Sequence, residues 1–323
     1  MTRKILITGP ALTQDAMQHA ASLDIQIIPT TPYLPADELV AIIEQEQPDA
    51  IIVRQGKLTK AMIQASSALK VIAKHGVGYD SIDIQAAAEH GVPVTIAMGA
   101  NAQSVAEHAF ALMFSVARQT AALDARMRQG HWDKATANGM ELSGKTLGLV
   151  GLGAIGGILM DLVAPLRMKV RVYDPYLQAL PARDHVERET SFEHLVEACD
   201  VISLHCPLTE QNRNLLSTEQ FQRMRPNAIV INTARGELID TAALVHALRT
   251  GQIAGAGLDT FHPEPPAADS DLWSLTTLVA TPHVGANTTE ARDRVGLLAV
   301  QQVVSLWNNQ ALDPRCIVNR HLL

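Results

Sequence analysis

The sequence predicts an α/β protein with two doubly wound domains, each built around a parallel sheet. Apolar runs of four to seven residues alternate along the chain with longer stretches that repeat at the helical period. The short runs are rich in Val, Ile and Leu without polar alternation, which is typical of parallel strands buried on both faces. With 323 residues, of which 47% are hydrophobic, the chain is long and apolar enough for two such cores.

The strand and helix candidates follow one another in the order that a doubly wound fold requires. The strand candidates are residues 4–8, 50–53, 71–74, 146–150, 170–174, 201–204, 228–232 and 255–258. The helical patterns are residues 37–45, 104–129, 155–165, 192–198, 241–250 and 288–307. The pattern over residues 104–129 predicts one long helix.

The order of these elements predicts that one domain is inserted into another. Residues 92–99 end a first α/β unit, and the long helix then leads to a second unit that is rich in glycine. A further long helix follows residues 281–283, beyond what the second unit needs. We therefore expect one domain made of residues 1–98 and 287–323, and an inserted domain made of residues 99–286.

Charge and composition exclude several classes of function. The chain has 26 Lys and Arg against 33 Asp and Glu, a formal net charge of −7, with no basic block and 4% aromatic residues, which argues against a nucleic-acid partner. It contains no apolar run long enough to cross a membrane and no signal-peptide pattern, so we expect a cytoplasmic protein. Cys199, Cys206 and Cys316 match no disulfide or metal spacing, and no metal site is expected.

A glycine-rich motif, Gly151-Leu-Gly-Ala-Ile-Gly, follows the strand candidate 146–150. Gly151 permits a tight turn, Gly153 lets the backbone approach a pyrophosphate, and Gly156 allows a helix to pack closely on the strand. The helix that follows offers free N–H groups and the positive end of its dipole to phosphates. Asp174 follows the next strand, where a carboxylate binds ribose hydroxyls and repels a 2′-phosphate. The motif therefore predicts NAD rather than NADP.

Three polar side chains, Arg235, Glu264 and His283, follow successive strands of the same predicted sheet. Hydride transfer to a carbonyl needs a substrate anchor, a proton donor and a group that supports the donor. The planar guanidinium of Arg235 suits a carboxylate. Histidine exchanges protons near neutral pH, and a neighbouring carboxylate stabilises its charged form. Taken singly, each residue is more typical of a surface ion pair or a loop cap, so the prediction depends on their common position.

Several stretches of the chain together resemble the D-isomer-specific 2-hydroxyacid dehydrogenases. They are Gly76-Val-Gly-Tyr-Asp-Ser-Ile-Asp, Asn101-Ala-Gln-Ser-Val-Ala-Glu-His, the glycine motif with Asp174, Asn232-Thr-Ala-Arg-Gly-Glu, Leu258-Asp-Thr-Phe-His-Pro-Glu-Pro and Thr281-Pro-His-Val-Gly-Ala. The similarity covers about residues 50–310 and is nearest to the catalytic portion of D-3-phosphoglycerate dehydrogenases, without their regulatory extension. It implies a Rossmann NAD-binding domain inserted into a discontinuous flavodoxin-like substrate domain, and a homodimer joined through residues 104–129.

The resemblance also implies a role for each matching residue. His283 is the expected general acid/base, Glu264 the carboxylate that supports its protonated form, and Arg235 the anchor that also polarises the carbonyl. The residues expected at NAD are Gly151, Gly153, Ala154, Ile155, Gly156, Asp174, Cys206, Pro207, Thr233, Ala234, Asp259, His283 and Ala286. The residues expected at a 2-hydroxy or 2-keto acid substrate are Arg54, Lys74, Val77, Gly78 and Arg235.

Two other functions stay open on the sequence. One is the reduction of glyoxylate, hydroxypyruvate or another unphosphorylated 2-keto acid by the same chemistry. Arg54 and Lys74 decide this question, since a phosphorylated substrate needs cationic partners for its dianion. The other is a non-catalytic co-repressor that senses NAD(H) on the same fold. The complete set of Arg235, Glu264 and His283 argues against it.

Overall fold

The structure is a computed structural model that describes residues 2–323. The strands are β1 Arg3–Thr8, β2 Ile25–Pro29, β3 Ala50–Val53, β4 Val71–Lys74, β5 Val94–Ile96, β6 Thr146–Val150, β7 Lys169–Tyr173, β8 Val186–Arg188, β9 Val201–Leu204, β10 Ile229–Asn232, β11 Gly255–Leu258 and β12 Leu278–Ala280. The α-helices are α1 Gln14–Ser22, α2 Ala36–Glu46, α3 Lys60–Gln64, α4 Ile84–Glu89, α5 Ala102–Ala117, α6 Thr120–Arg128, α7 Ala154–Val163, α8 Phe192–Ala198, α9 Thr218–Arg223, α10 Thr241–Arg249 and α11 Thr289–Trp307.

The chain divides into two compact units. Unit 1 comprises the chain up to Asn101 together with Asn287–Leu323, and unit 2 comprises Ala102–Ala286. The domain bounds expected from the sequence, residues 98/99 and 286/287, stay a prediction. Among residues 2–323, no helix combines the length and the apolar character needed to cross a membrane.

Unit 1 is built on a five-stranded parallel sheet in the order β2-β1-β3-β4-β5, which is the flavodoxin-like order. Successive residues of a strand point to opposite faces, and both faces of this sheet are covered. Leu6 and Ile51 belong to one apolar core, whereas Ile5 and Ile52 belong to a second core that includes residues of α11. Burial on both faces explains why these strands are continuous apolar runs.

Unit 2 is built on a seven-stranded parallel sheet in the order β12-β11-β10-β9-β6-β7-β8. Its chain order reverses at β6, between β9 and β7, as in a Rossmann sheet with one additional strand. Leu147 and Leu149 of β6 pack in a core with α5 and α7, and Val150 packs in a core with α8 and α10. The predicted fold class, a Rossmann domain inserted into a discontinuous flavodoxin-like domain, is confirmed.

The single long helix predicted over residues 104–129 is wrong, because the structure has two helices there, α5 and α6. Gln119 adopts a left-handed conformation with a φ of 54°, which a continuous helix does not allow. The hydroxyl of Thr120 then donates a hydrogen bond of 2.9 Å to Ser115 Oγ at the start of the second helix. The apolar pattern runs across the break because both helices carry apolar residues, and it contains no proline or glycine to mark it.

Candidate active site

The candidate residues of unit 2 all follow strands of its parallel sheet. The carboxyl ends of parallel strands lie at one edge, and ligands of doubly wound sheets bind where the strand order reverses. Here the reversal falls at β6, whose carboxyl end leads into the glycine motif. Asp174 follows the neighbour β7, and the segments after β9, β10, β11 and β12 carry the other candidates. The sheet order thus brings the motif and the candidate side chains to one edge.

The glycine motif forms a tight turn in which Gly151 and Gly156 leave no room for a side chain. Gly151 has a φ of +94°, and a Cβ on it would lie 2.9 Å from the backbone nitrogen of Cys206. A Cβ on Gly156 would lie 2.5 Å from the carbonyl oxygen of Gly151. Gly153 faces open space and is the N-cap of α7, so the first N–H groups of this helix are available to an anion.

Asp174 is fixed beside this turn by two backbone donors. The N–H of Leu152 donates to Asp174 Oδ2 at 2.9 Å, and the N–H of Tyr176 donates to Oδ1 at 2.9 Å. The carboxylate is therefore anchored one residue from the first glycine of the motif. A fixed negative charge at this position disfavours a 2′-phosphate.

Residues after β9 and β10 line the same edge and add polar atoms to it. Burial raises the pKa of the Cys206 thiol to about 11, so this side chain is a neutral thiol near pH 7. Pro207 accepts a 2.8 Å hydrogen bond from Asn212 Nδ2 at its carbonyl oxygen. Thr233 Oγ1 is buried without a hydrogen-bond partner among residues 2–323. This orphaned hydroxyl, the open Gly153 and the helix N-terminus together fit a bound dinucleotide.

Arg235 is held at the end of β10 by a buried asparagine. Asn232 accepts a 3.0 Å hydrogen bond from the N–H of Ala234 at its Oδ1, and its Nδ2 donates to the carbonyl oxygen of Arg235 at 2.7 Å. The Asn232 side chain therefore imposes a turn on the backbone directly before the arginine. This turn fixes the point from which the Arg235 guanidinium leaves the sheet.

His283 and Glu264 form a direct pair. His283 Nδ1 lies 2.8 Å from Glu264 Oε2, and the other carboxylate oxygen of Glu264 accepts a 2.9 Å hydrogen bond from the N–H of Phe261. Burial raises the pKa of the Glu264 carboxyl, but the hydrogen bonds from His283 and Phe261 and the charge of Arg235 outweigh it and lower the pKa. Glu264 is therefore an ionised acceptor near pH 7. Because Arg235 acts electrostatically on the same carboxylate that His283 bonds to, the three candidates form one interacting cluster.

The hydrogen-bonding pattern assigns a different job to each ring nitrogen of His283. A carboxylate only accepts hydrogen bonds, so Nδ1 carries the proton that bonds to Glu264. In the neutral ring, Nε2 then has a lone pair and is the basic nitrogen. The other histidine of this region, His262, pairs with Glu237 at 3.2 Å, not with Glu264, and 60% of its side chain is exposed.

The candidate substrate residues of unit 1 lie at or after the ends of β3 and β4, which are neighbours in its sheet. Arg54 Nη1 donates to the carbonyl oxygens of residues 10 and 11 at 2.5 and 2.6 Å. Lys74 Nζ donates to the Arg54 carbonyl oxygen at 3.3 Å. Within residues 2–323, the backbone N–H groups of Val77 and Gly78 form no hydrogen bond. Two free N–H groups beside two cations suit an anion.

A match over most of unit 2 identifies the family of this chain. Residues 110–285 match the family model described as the NAD-binding domain of the D-isomer-specific 2-hydroxyacid dehydrogenases. The chain belongs to this family. Its cofactor is accordingly NAD, as the glycine motif and Asp174 predict.

Known proteins are similar to this chain over most of its length. D-3-phosphoglycerate dehydrogenase of Archaeoglobus fulgidus is 36% identical over 304 residues, which cover 94% of this chain and 57% of that protein. Hydroxypyruvate reductase of Thermotoga maritima is 41% identical over 277 residues, 85% of this chain and 89% of that one. The crystal structure of TT0316 protein from Thermus thermophilus matches with a TM-score of 0.88 and 33% identity, over 98% of this chain and 99% of that one. The chain thus spans a little over half the length of the phosphoglycerate dehydrogenase.

Sequence reasoning missed the residues that orient those of the candidate site. Asn232 belongs to the motif Asn232-Thr-Ala-Arg-Gly-Glu, and asparagine is a residue type that favours turns. A turn before Arg235 could therefore have been predicted from the sequence. His108 and Thr281 bond to each other although 173 residues separate them, and no spacing rule finds such a pair. The roles assigned to the individual site residues stay predictions.

Proposed function

We propose that this protein is an NAD-dependent D-2-hydroxyacid dehydrogenase that interconverts a small 2-hydroxy acid and its 2-keto acid. The observation that carries the proposal is the 2.8 Å pair of His283 Nδ1 and Glu264 Oε2 at the edge of an NAD-binding sheet. Arg235 in the same cluster adds a group that binds a carboxylate. Acid/base, support and anchor are the three functions that the reaction requires of the protein.

The residues that would hold NAD lie along the sheet edge of unit 2. The N–H groups of Ala154 and Ile155 would meet the pyrophosphate, and Asp174 the ribose hydroxyls. The Thr233 hydroxyl is the buried donor that would meet the nicotinamide end. When bound, NAD supplies the acceptor for a hydride from C2 of the hydroxy acid, or its donor in the reverse direction.

His283 accepts and returns the proton of the substrate hydroxyl group. In the oxidative direction the lone pair on Nε2 accepts the proton of the substrate hydroxyl, which leaves the ring positively charged. Glu264 is ionised near pH 7 and lies at hydrogen-bond distance from the opposite nitrogen, so it stabilises that charge. In the reductive direction the protonated ring returns the proton to the developing alkoxide. Arg235 stabilises the same oxygen while it anchors the carboxylate.

We propose that the substrate carries a second anionic group, as 3-phosphoglycerate does. Arg54 and Lys74 are the cations that would bind this group, and the free N–H groups of Val77 and Gly78 would bind the carboxylate. The similarity to D-3-phosphoglycerate dehydrogenase supports this substrate class. A second candidate is an unphosphorylated 2-keto acid such as hydroxypyruvate. The similarity to a hydroxypyruvate reductase favours it, as does the fact that Arg54 Nη1 is already engaged by two carbonyl oxygens.

A homodimer through α5 and α6 is also proposed. None of the nine residues of α6 is buried; they include the exposed Met127, and the exposed Trp132 follows the helix. Light scattering after size-exclusion chromatography tests this proposal, since Met127→Glu would shift a dimer to a monomer. A cytoplasmic location stays a prediction from the sequence.

The first test of the proposed function is NADH oxidation with a panel of 2-keto acids. The panel consists of phosphohydroxypyruvate, hydroxypyruvate, glyoxylate and pyruvate. We expect the highest kcat/KM with phosphohydroxypyruvate, and Arg54→Gln lowers that value more than the value for hydroxypyruvate. A preference for an unphosphorylated acid overturns the substrate class and keeps the chemistry. An absence of oxidation by a protein that still binds NADH overturns the dehydrogenase itself.

His283→Asn tests the proton-transfer step. Because asparagine has no basic nitrogen, we expect turnover to fall on the order of 10²- to 10⁴-fold, the usual contribution of a general acid or base. NADH binding, measured by fluorescence titration, is expected to stay within about twofold since the glycine motif is untouched. Turnover that survives the substitution removes His283 from the mechanism.

A further inference from the structure

A polar cluster around one buried carboxylate lies against the loop that carries His283. It consists of His108 on α5, Asp259 after β11 and Thr281 after β12. His108 Nε2 lies 2.8 Å from Thr281 Oγ1 and 3.4 Å from Asp259 Oδ1. The Thr281 hydroxyl donates to Asp259 Oδ1 at 2.6 Å. Asp259 is only 1% exposed, so its carboxylate depends on these donors.

Asp259 holds the backbone on both sides of His283. Its carbonyl oxygen accepts the His283 N–H at 2.8 Å, and its carboxylate accepts the N–H groups of Val284 and Gly285 at 2.9 and 2.8 Å. His283 has a φ of 52°, a conformation that is uncommon for a non-glycine residue. The hydrogen bonds to Asp259 support His283 in this conformation.

The direction of each hydrogen bond follows from the charge of Asp259. Burial raises the pKa of this carboxyl, but the hydrogen bonds from His108, Thr281 and the backbone outweigh burial and lower it. An ionised carboxylate only accepts hydrogen bonds, so the Thr281 hydroxyl uses its single proton in the hydrogen bond to Asp259. Thr281 Oγ1 must then accept from His108, whose Nε2 carries a proton. The cluster is thus a directed chain of donors from α5 to the carboxylate.

Gly285 shows how closely the loop lies against this cluster. A Cβ at this position would be 3.0 Å from Asp259 Oδ2 and 3.5 Å from His108 Cδ2. The loop approaches the carboxylate so closely that a side chain would displace it. The contact between the loop and the cluster is therefore direct.

We propose that His108 and Thr281 are positioning residues for His283. They orient the Asp259 carboxylate, which fixes the backbone of residues 283–285 and so keeps the imidazole of His283 against Glu264. The proposal rests on the dehydrogenase function proposed above, in which His283 transfers the proton. A general acid/base that departs from its productive geometry loses rate before it loses ligand affinity.

The test compares variants that remove a donor with variants that keep it. Thr281→Val removes the hydroxyl at nearly constant shape, and Thr281→Ser restores it. His108→Leu removes the Nε2 donor, and His108→Gln offers an amide N–H at a similar reach. Thr250→Val is the matched control, because within the described residues the Thr250 hydroxyl bonds only to the His246 carbonyl oxygen at the end of α10.

Two readouts are measured on the full chain. In Thr281→Val and His108→Leu we expect kcat to fall on the order of 10- to 100-fold with KM and NADH affinity within about twofold. Thr281→Ser and His108→Gln recover most of kcat. The second readout needs no activity: hydrogen–deuterium exchange of the peptide that contains Val284 and Gly285 is faster in the donor-removing variants than in Thr250→Val.

The results separate failure of this proposal from failure of the proposed function. Unchanged exchange at residues 284–285 in the donor-removing variants overturns the positioning role, whether or not the protein turns over. A loss of NADH affinity at unchanged kcat also overturns it, since the cluster would then act on the cofactor. A wild-type protein without activity overturns the proposed function, and the exchange measurement still decides whether the cluster holds the loop. If Thr281→Val does not fold, the His108 pair carries the same comparison.

Discussion

His75 of unit 1 is a histidine that stays neutral in the folded protein well below pH 6. It follows β4, and its Nε2 lies 3.7 Å from the position that a Cβ on Gly296 of α11 would occupy. Burial is the largest cause that lowers the pKa of His75 to about 3, and the positive charges of Arg54, Lys74 and Arg292 lower it further. Protonation of this ring is therefore coupled to the unfolding of unit 1.

The sign and size of the coupling follow from the two pKa values. In the unfolded chain the pKa of a histidine is near 6.5, so between about pH 6.5 and about pH 3 the unfolded state binds a proton that the folded state does not. The free energy of unfolding therefore falls as the pH falls through this window. Each pH unit contributes about 1.4 kcal/mol, so acidification from about pH 7.5 to about pH 5 costs unit 1 about 2 kcal/mol through His75 alone.

The assay needs a signal from unit 1 only, and the tryptophans provide it. Trp132 and Trp273 lie in unit 2, whereas Trp307 lies at the end of α11 with Arg3 over its ring at 4.9 Å. In a Trp132→Phe, Trp273→Phe background, Trp307 fluorescence during urea denaturation reports the free energy of unfolding of unit 1. We compare this background with the same protein carrying His75→Gln, which cannot titrate.

The expected result is a smaller pH dependence in the variant. The loss of unfolding free energy between about pH 7.5 and about pH 5 should be about 2 kcal/mol smaller with His75→Gln. His90→Gln, which replaces an exposed histidine of the same unit, is the matched control and should retain the full pH dependence. An equal pH dependence with and without His75 refutes the reasoning, because the ring would then titrate alike in both states.

Two further predictions concern unit 2. Glu264→Gln should shift the pH profile of keto-acid reduction to lower pH, because the protonated ring of His283 loses the ionised carboxylate 2.8 Å away; an unchanged kcat profile removes Glu264 from the mechanism. Gly156→Ala should weaken NADH binding and lower the free energy of unfolding by about 1–3 kcal/mol, since its Cβ would lie 2.5 Å from Gly151 O. Gly157→Ala is the control for fluorescence titration and denaturation, because a Cβ there meets no atom of residues 2–323 within 4 Å beyond its chain neighbours and its own helix backbone; equal behaviour of the two variants contradicts the steric argument.

The fold and the cofactor motif could be predicted from sequence because their signals are local. A strand buried on both faces is rich in apolar residues, and β3 shows this in four consecutive residues. Gly151 is required by its φ of +94° and Gly156 by its close approach to the carbonyl oxygen of Gly151, so a short window of sequence contains these causes. The same locality explains the error at α6, since the left-handed conformation of Gln119 has no marker in its residue type.

The candidate site shows where local reasoning ends. Arg235 and His283 could be found because each follows a strand, and parallel strands bring such positions to one edge. The residues that orient them obey no such rule. His108 comes from a helix that precedes β6, yet it donates to Thr281 after the last strand of the sheet. The stretch that ends at His108 indicates the family, but nothing in it names a partner, which only the packing of α5 against β10, β11 and β12 provides.

This difference has a physical reason that bears on how such sites are built. Chemistry-bearing groups sit at strand ends because a ligand must reach them there, so their positions are tied to the sheet and can be read from it. The residues that orient these groups contact them from the side away from the ligand, and any packed helix or loop with a suitable hydrogen-bond donor can provide them. Asp259 connects the two kinds of residue: it follows β11 as a strand-end residue, yet its buried carboxylate is satisfied by α5, by Thr281 and by the loop of His283. The position of Asp259 after a strand can be predicted from the sequence. The hydrogen bonds to its carboxylate form only after the helix and the loop have packed on either side of it.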